Sequence, residues 1–227
     1  MTYYGFIEII VFIAFLILIT KPLGGYITRV AQGEKTRLDL VLRPIERGFY
    51  RLAGVSSQQE TDWKHYAIQL IVFNVLGLIF LYLLQRLQAY LPLNPAHLGN
   101  VEPGSAFNTA TSFASNTNWQ GYGGENTMSY LTQMAGLAVQ NFLSAATGIA
   151  VAIALIRAFA RKSMNTIGNF WVDLTRITLW LLLPLCIIVS LVLIWQGTPQ
   201  NFNHYTTATT LSGIQQVLPQ GRLLLRK

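Results

Sequence analysis

Residues 3–20 form an unbroken apolar run in which Glu8 is the only charged residue. A helix needs about 20 mostly apolar residues to cross the hydrocarbon core of a bilayer. Three further stretches of that kind follow, at 66–84, 128–156 and 177–195. In a chain of 227 residues these runs leave little sequence for anything but their connections, so the expected fold class is an all-α polytopic membrane protein with about four spanning helices. The charge content agrees. Charged residues make up 11% of the chain, against roughly a quarter in soluble domains, too little polar surface to coat a water-soluble globule of this size. A soluble enzyme, a disordered tail and a coiled coil are excluded on that ground. The single cysteine, Cys186, lies inside the fourth run as a small core or lipid-facing residue, which leaves no intrachain disulfide and no cysteine-based metal cluster.

The runs differ in kind. The first meets Lys21-Pro22, where the proline is expected to end the helix and the lysine to anchor at the interface. It does not read as a signal peptide, because no basic residues precede it and no small-residue cleavage site follows. The second contains Asn74 and Gly77. The third carries Gly136, Ala138, Ser144, Ala145, Ala146, Thr147 and Gly148, and small residues in a spanning helix mark close helix–helix packing. In the fourth, Pro184 is expected to introduce a kink.

The connections are sorted by charge. Of the 16 Lys and Arg residues, eight fall in 21–65, four in 157–176, one at Arg86 and three in the tail at Arg222, Arg226 and Lys227. The first two segments are expected in the cytoplasm and 85–127 outside, with an extracytoplasmic N-terminus. The net charge of +7 thus reads as cytoplasmic loops ahead of nucleic acid, with anionic lipid as a secondary partner for the basic 21–51 segment. The tail misfits: by alternation it lies outside, yet it is basic. The polar segment 196–220 reads as an external loop with some strand tendency. The chain shows neither low-complexity tracts nor internal repeats.

Segment 85–127 carries the chemistry. Residues 103–114 are helix-compatible, start with Pro103 and a potential cap at Ser105, and are too short to cross a bilayer. They lead into the irregular, small and polar run Ser115-Asn-Thr-Asn-Trp-Gln-Gly-Tyr-Gly-Gly-Glu125, and then into the small-residue span. The order of spanning helix, short helix, polar loop and spanning helix outlines a re-entrant pore loop, which irregular backbone can form at membrane depth only where protein or water satisfies it. Such a loop selects cations by replacing their hydration shell with backbone carbonyls. The other reading of the same residues is a plain turn-rich external loop. Other features are weaker. Asn116-Thr-Asn118 and Asn126-Thr-Met128 are not glycosylation sequons. His65, His97 and His204 are scattered, Glu8 is expected at an interface, and Gly123-Gly124 lacks the context of a phosphate loop.

Several motifs resemble one family. Thr111-Ser-Phe-Ala-Ser-Asn-Thr-Asn-Trp-Gln120 followed by Leu131-Thr-Gln-Met-Ala-Gly-Leu-Ala-Val-Gln-Asn-Phe-Leu-Ser-Ala-Ala146 closely resembles the potassium-binding A subunits of the bacterial Kdp potassium-transporting ATPases. Lys21-Pro-Leu-Gly24, Tyr90-Leu-Pro-Leu-Asn-Pro95, Ala154-Leu-Ile-Arg-Ala-Phe-Ala-Arg161 and Trp171-Val-Asp-Leu-Thr-Arg-Ile-Thr-Leu-Trp180 are similar to that family too. The resemblance runs from near residue 1 to about Gly221. It implies a potassium-channel superfamily fold, with a leading helix and pseudo-repeats of helix, pore helix, filter loop and helix around one K⁺ site. Under it, 1–22 is the leading transmembrane helix, 23–65 a cytoplasmic basic loop, and 66–157 the first pore-loop repeat. Residues 158–195 are then a cytoplasmic loop and the first helix of an incomplete second repeat, and 196–227 an extracytoplasmic tail.

The family filter usually begins Thr-Asn-Thr-Asn-Trp, and here Ser115 keeps the hydroxyl and small volume of the first position. The resemblance implies a filter role for Ser115, Asn116, Thr117 and Asn118 and a supporting role for Trp119 and Gln120. It implies K⁺ as the transported ion, no bound cofactor, a bacterial inner-membrane location, and as partners a P-type ATPase catalytic subunit, small accessory subunits and membrane lipid, with no nucleic acid. With no Walker motif, P-type phosphorylation motif or catalytic dyad, the chain is not expected to hydrolyse ATP by itself. Family chains are more than twice as long. The family's Pro-Met-Gly-Pro stands here as Pro219-Gln-Gly-Arg222, and 223–227 have no counterpart, as a frameshift, an early stop or a split gene would leave them. The other expectation is therefore a transport-incompetent membrane fragment that acts only in subunit assembly.

Overall fold

In the computed structural model, residues 3–161, 165–198 and 206–218 are described. Lys162, His204 and the basic tail residues Arg222, Arg226 and Lys227 lie outside them. Helix α1 runs from Tyr3–Gln32, α2 from Asp39–Ala53, α3 from Trp63–Leu87 with a 3₁₀ turn at Gln88–Tyr90, and α4 from Pro103–Ala114. A short turn, α5, covers Gly124–Thr127. A π-helical turn at Thr132–Ala138 leads into α6, Val139–Ala160. Helix α7, Phe170–Arg176, passes through a second π turn, Ile177–Leu182, into α8, Leu183–Trp195. Four of these helical columns are long and apolar enough to cross a membrane: Tyr3–Gln32, Trp63–Tyr90, Thr132–Ala160 and Phe170–Trp195. The chain is an all-α polytopic membrane protein, with one antiparallel hairpin of β1, Thr206–Thr209, and β2, Gln215–Leu218, where the polar 196–220 segment shows its strand tendency.

The first helix does not stop at Lys21-Pro22. It continues through Pro22 to Gln32, which takes ten residues from the expected 23–65 loop; α2 takes fifteen more. A proline inside a helix removes one hydrogen bond, and packing on its C-terminal side compensates. Leu23, Tyr26 and Ile27 lie against a core of Tyr66, Ala146, Ala150, Phe170 and Leu174, and Val30 is buried beside Leu42 and Trp180. These positions repeat at helical spacing on one face. Earlier in α1 the apolar side chains are exposed, as a lipid-facing helix requires.

Pro184 is accommodated by a partner from α1. It has no N–H for the Trp180 carbonyl four residues back, and Tyr26 Oη donates to that carbonyl at 2.6 Å. The π turn just before it is a usual place for a helix to absorb such a disturbance. The same column begins at Phe170, ahead of the apolar run, because Asn169 Oδ1 caps the N–H groups of Trp171 and Val172.

The basic ends of the columns are joined by an ion pair whose carboxylate, Asp173, is buried. Arg157 holds the Asp173 carboxylate with two bonds of 2.6 and 2.7 Å, from Nη1 and Nη2, and Nη2 also reaches the Ala31 carbonyl at 2.9 Å. Tyr66 Oη lies 3.1 Å from both Asp173 Oδ2 and the Ala150 carbonyl. Arginine, aspartate and tyrosine thus satisfy one another across α1, α3, α6 and α7, which a buried charge needs to be tolerated. At the opposite end, α3 meets the start of the third column through Gly136. A Cβ there would stand 2.7 Å from Leu84 and 2.8 Å from Leu81, so the expected close packing of the small-residue run occurs within the chain.

Candidate functional site

Helix α4 is set by its own caps. Pro103 occupies the first turn, where its missing N–H costs nothing, and Glu102 Oε2 accepts from the Ser105 N–H at 2.8 Å. The cap is therefore Glu102 rather than Ser105: with the helix starting at Pro103, Ser105 is the third residue in, and its N–H is one of the groups that needs an acceptor. The backbone N–H groups of Gly104 and Ser105 hold the Glu102 carboxyl below its ordinary pKa.

The buried side of α4, with Ala106, Ala110 and Phe113, packs on Leu81, Val101, Met128 and Leu137. Two glutamines at the end of α3 fix this arrangement. Gln85 Nε2 donates to the Ala106 carbonyl at 3.2 Å. Gln88 Nε2 donates to the Gly99 and Thr127 carbonyls at 2.7 Å each, while its Oε1 accepts from the Ser129 N–H and Thr132 Oγ1 at 3.1 and 3.0 Å. Gln88 is fully buried with every hydrogen-bonding position used, so it ties three segments into one unit.

The C-terminal end of α4 opens directly into the loop. The Thr117 N–H returns to the Ser112 carbonyl at 3.0 Å and the Asn116 N–H to the Phe113 carbonyl at 3.3 Å, the bond pattern of a Schellman cap with Asn116 in its left-handed position. Asn116 has φ 57 and Asn118 φ 55, values that asparagine tolerates better than most side chains. The Ser115 N–H bonds Thr111 at 3.0 Å and the Asn118 N–H bonds Ser112 at 3.3 Å. Every backbone donor of 115–118 therefore turns back onto α4. Among the described residues no hydrogen bond reaches the carbonyls of Ser115, Asn116, Thr117 or Asn118. Their side chains are exposed but ordered by one another: Ser115 Oγ donates to Thr111 at 2.8 Å and lies 3.0 Å from Thr117 Oγ1.

Two residues of α6 brace the loop. Asn118 Nδ2 donates to Asn141 Oδ1 at 2.9 Å, and Ser144 Oγ donates to Asn116 Oδ1 at 3.3 Å. Trp119 joins through its carbonyl, which accepts from Ser112 Oγ at 3.0 Å. Gln120 is exposed and makes no hydrogen bond among the described residues. The structure thus brings Ser115–Trp119 into one assembly and leaves Gln120 beside it. Asn141, Gln85 and Gln88 were not singled out from the sequence, and Ser144 was read only as one of the small packing residues of its span. Their available signal is a pair of polar residues at i, i+3 on one face of an otherwise apolar run. Chemically, the site offers carbonyls that no described donor engages, at the negative end of a helix, and hydroxyl and amide groups without formal charge. Among the described residues no three His, Cys, Asp or Glu side chains come together as a metal centre.

The sequence matches the family described as potassium-transporting ATPase A subunit over residues 10–223. The chain belongs to this A-subunit family. It is 60% identical over 221 residues to a potassium-transporting ATPase potassium-binding subunit of Brucella anthropi. It is 58% identical over 221 residues to proteins of the same description from Mesorhizobium japonicum and from Rhodospirillum centenum. In each case the match covers 97% of this chain and 39% of the relative. The chain therefore spans about two fifths of the length of these A-subunit relatives, and the capped α4, the 115–120 loop and the bracing residues of α6 all fall inside the matched region.

Proposed function

We propose that this chain supplies part of the K⁺-selecting path of an ATP-driven potassium uptake complex of the bacterial inner membrane. K⁺ is the transported ion and meets the backbone carbonyls of Ser115, Asn116, Thr117 and Asn118, with Trp119 and Gln120 flanking them. One observation carries the reading: four consecutive residues at the negative end of a short helix have all their N–H groups bonded back onto that helix and, among the described residues, carbonyls without a hydrogen-bond partner. Neutral carbonyl dipoles suit a weakly hydrated monovalent cation, which must be bound well enough to enter and loosely enough to leave. Further loops of the assembled transporter complete the coordination shell. A separate P-type ATPase subunit hydrolyses ATP, and small accessory subunits and membrane lipid complete the set of partners. The Lys/Arg-rich end faces the cytoplasm and the loop and N-terminus face outward, in keeping with the positive-inside rule.

The test is K⁺-stimulated ATP hydrolysis by the assembled complex with Asn116→Ala or Thr117→Ala in this chain. The K⁺ concentration for half-stimulation should rise about tenfold or more, equivalent to ~1.4 kcal/mol of lost ion binding. An unchanged half-stimulation concentration in folded variants would remove the assignment.

A further inference from the structure

Helix α2 shows three faces. One is buried, through Leu42, Glu46 and Tyr50. Glu46 Oε1 accepts from Tyr50 Oη at 2.7 Å and from Arg176 Nε at 3.2 Å. Just before the helix, Thr36 Oγ1 donates to Asp39 at 2.9 Å and accepts from Trp180 Nε1 at 3.1 Å. These bonds fix the rotation of α2 on the bundle, and so fix where its other two faces lie. The second face is apolar and uncovered: Val41 is 64% exposed and Leu52 89%, with Ile45 beside them on the helical wheel. Phe49 continues it into an apolar cleft of about 300 Å³, whose far wall is Phe73, Leu143, Trp171 and Thr178 of the spanning columns. The apolar face therefore adjoins surface at membrane depth. The third face is a strip of Arg43, Arg47 and Arg51 at i, i+4, i+8. Arg43 pairs with Asp39 at 3.4 Å, whereas Arg47 and Arg51 are exposed with no ion pair among the described residues.

The occupant of these faces must offer apolar contact and negative charge side by side. A second copy of the chain is a poor source of the charge. At this end of the molecule Asp39, Glu46, Glu60, Asp62 and Asp173 are already committed to Arg43, Arg176, Arg161, His65 and Arg157, which leaves only Glu34. An anionic phospholipid leaflet offers both, in the layering an amphipathic helix at a membrane surface uses.

We infer that α2 is an interfacial anchor for an anionic leaflet. Val41, Ile45, Phe49 and Leu52 enter the acyl region, and Arg47 and Arg51 lie on lipid phosphates. The assignment does not depend on what the 115–118 loop binds. It is tested on the full chain in vesicles, in a Cys186→Ser background, with a thiol-attached fluorophore at Leu52→Cys or Arg47→Cys. The Leu52 label should be quenched by doxyl-labelled lipids and shielded from aqueous iodide, and the Arg47 label should be reached by iodide. Separately, tryptophan quenching in mixed vesicles should show several-fold preference for brominated phosphatidylglycerol over brominated phosphatidylcholine, falling towards unity in the double variant Arg47→Gln, Arg51→Gln. A Leu52 label shielded from both quenchers means that protein covers the face and overturns the inference. So does a Leu52 label open to iodide, or a lipid preference that the double variant leaves unchanged.

Discussion

A left-handed residue is needed where α4 ends, and at position 116 an asparagine supplies it while also accepting from Ser144. The two roles separate by substitution. Asn116→Ala places an unsuited side chain at positive φ, at a cost of roughly 1–2 kcal/mol, and also loses the brace. Asn116→Gly keeps the turn and loses only the side-chain bonds from Ser144 and Asn118. Thermal midpoints should fall in the order wild type, Gly, Ala, and an Ala variant as stable as Gly would refute the capping role. Glu60 gives a pH-dependent counterpart. Thr166 Oγ1 at 2.6 Å and then Arg161 at 2.7 and 2.9 Å hold its carboxyl below the ordinary 4.5. A carboxylate with a lowered folded-state pKa contributes stability that is present above its unfolded pKa and is lost as pH falls through the folded one. Wild type should therefore exceed Glu60→Gln in thermal midpoint near neutrality, and the gap should close below pH 4.5. A gap that persists in acid would place the effect elsewhere. At this scale the irregular polar loop after α4 was legible in residues 115–118, while their role toward K⁺ stands as the proposal above. Asn141 and Ser144 were not, because a lone polar residue in an apolar run has many possible partners and sequence does not say which loop will come within reach.

Among the elements, the spans followed from hydropathy alone, and α4 was legible to the residue because Pro103 fixes one end and the loss of helix-compatible residues the other. The run through Pro22 was hidden. A proline rule treats the helix as isolated, whereas Leu23, Tyr26 and Ile27 gain packing that exists only once α3, α6 and α7 are in place. The same contact explains Pro184, and it is open to test. Tyr26→Phe removes the donor to the Trp180 carbonyl and should cost about 1 kcal/mol, read as a lower unfolding midpoint in detergent. If Tyr26→Phe and wild type unfold together, backbone rearrangement rather than α1 satisfies that carbonyl. Gly136 is the corresponding test for the α3 contact. Its substitution by Val forces Leu81 and Leu84 apart and should destabilise by about 1–3 kcal/mol. A Val variant of wild-type stability would mean that the two helices are not held close there.

Taken whole, the molecule has two differently built ends. The basic end is ionic, with the Arg157–Asp173 pair, the Glu46–Arg176 pair and the arginine strip of α2. The loop at the other end is built from uncharged glutamine, asparagine, serine and threonine bonded to backbone and to one another. Sorting basic residues by segment separated these ends in the sequence, but the ion pairs join residues as far apart as Glu46 and Arg176, a pairing that only the packed bundle defines. Carbonyls of the 115–118 loop presented to K⁺ can be observed at one atom. Thr117-Asn118 is the only Thr-Asn step in the chain, so ¹³C-carbonyl threonine with ¹⁵N-asparagine isolates the Thr117 carbonyl by solid-state NMR in the assembled transporter. The account predicts a Thr117 carbonyl shift that saturates with K⁺ and is absent with Na⁺ at the same concentration. A resonance indifferent to K⁺, under conditions where the transporter turns over, would contradict it.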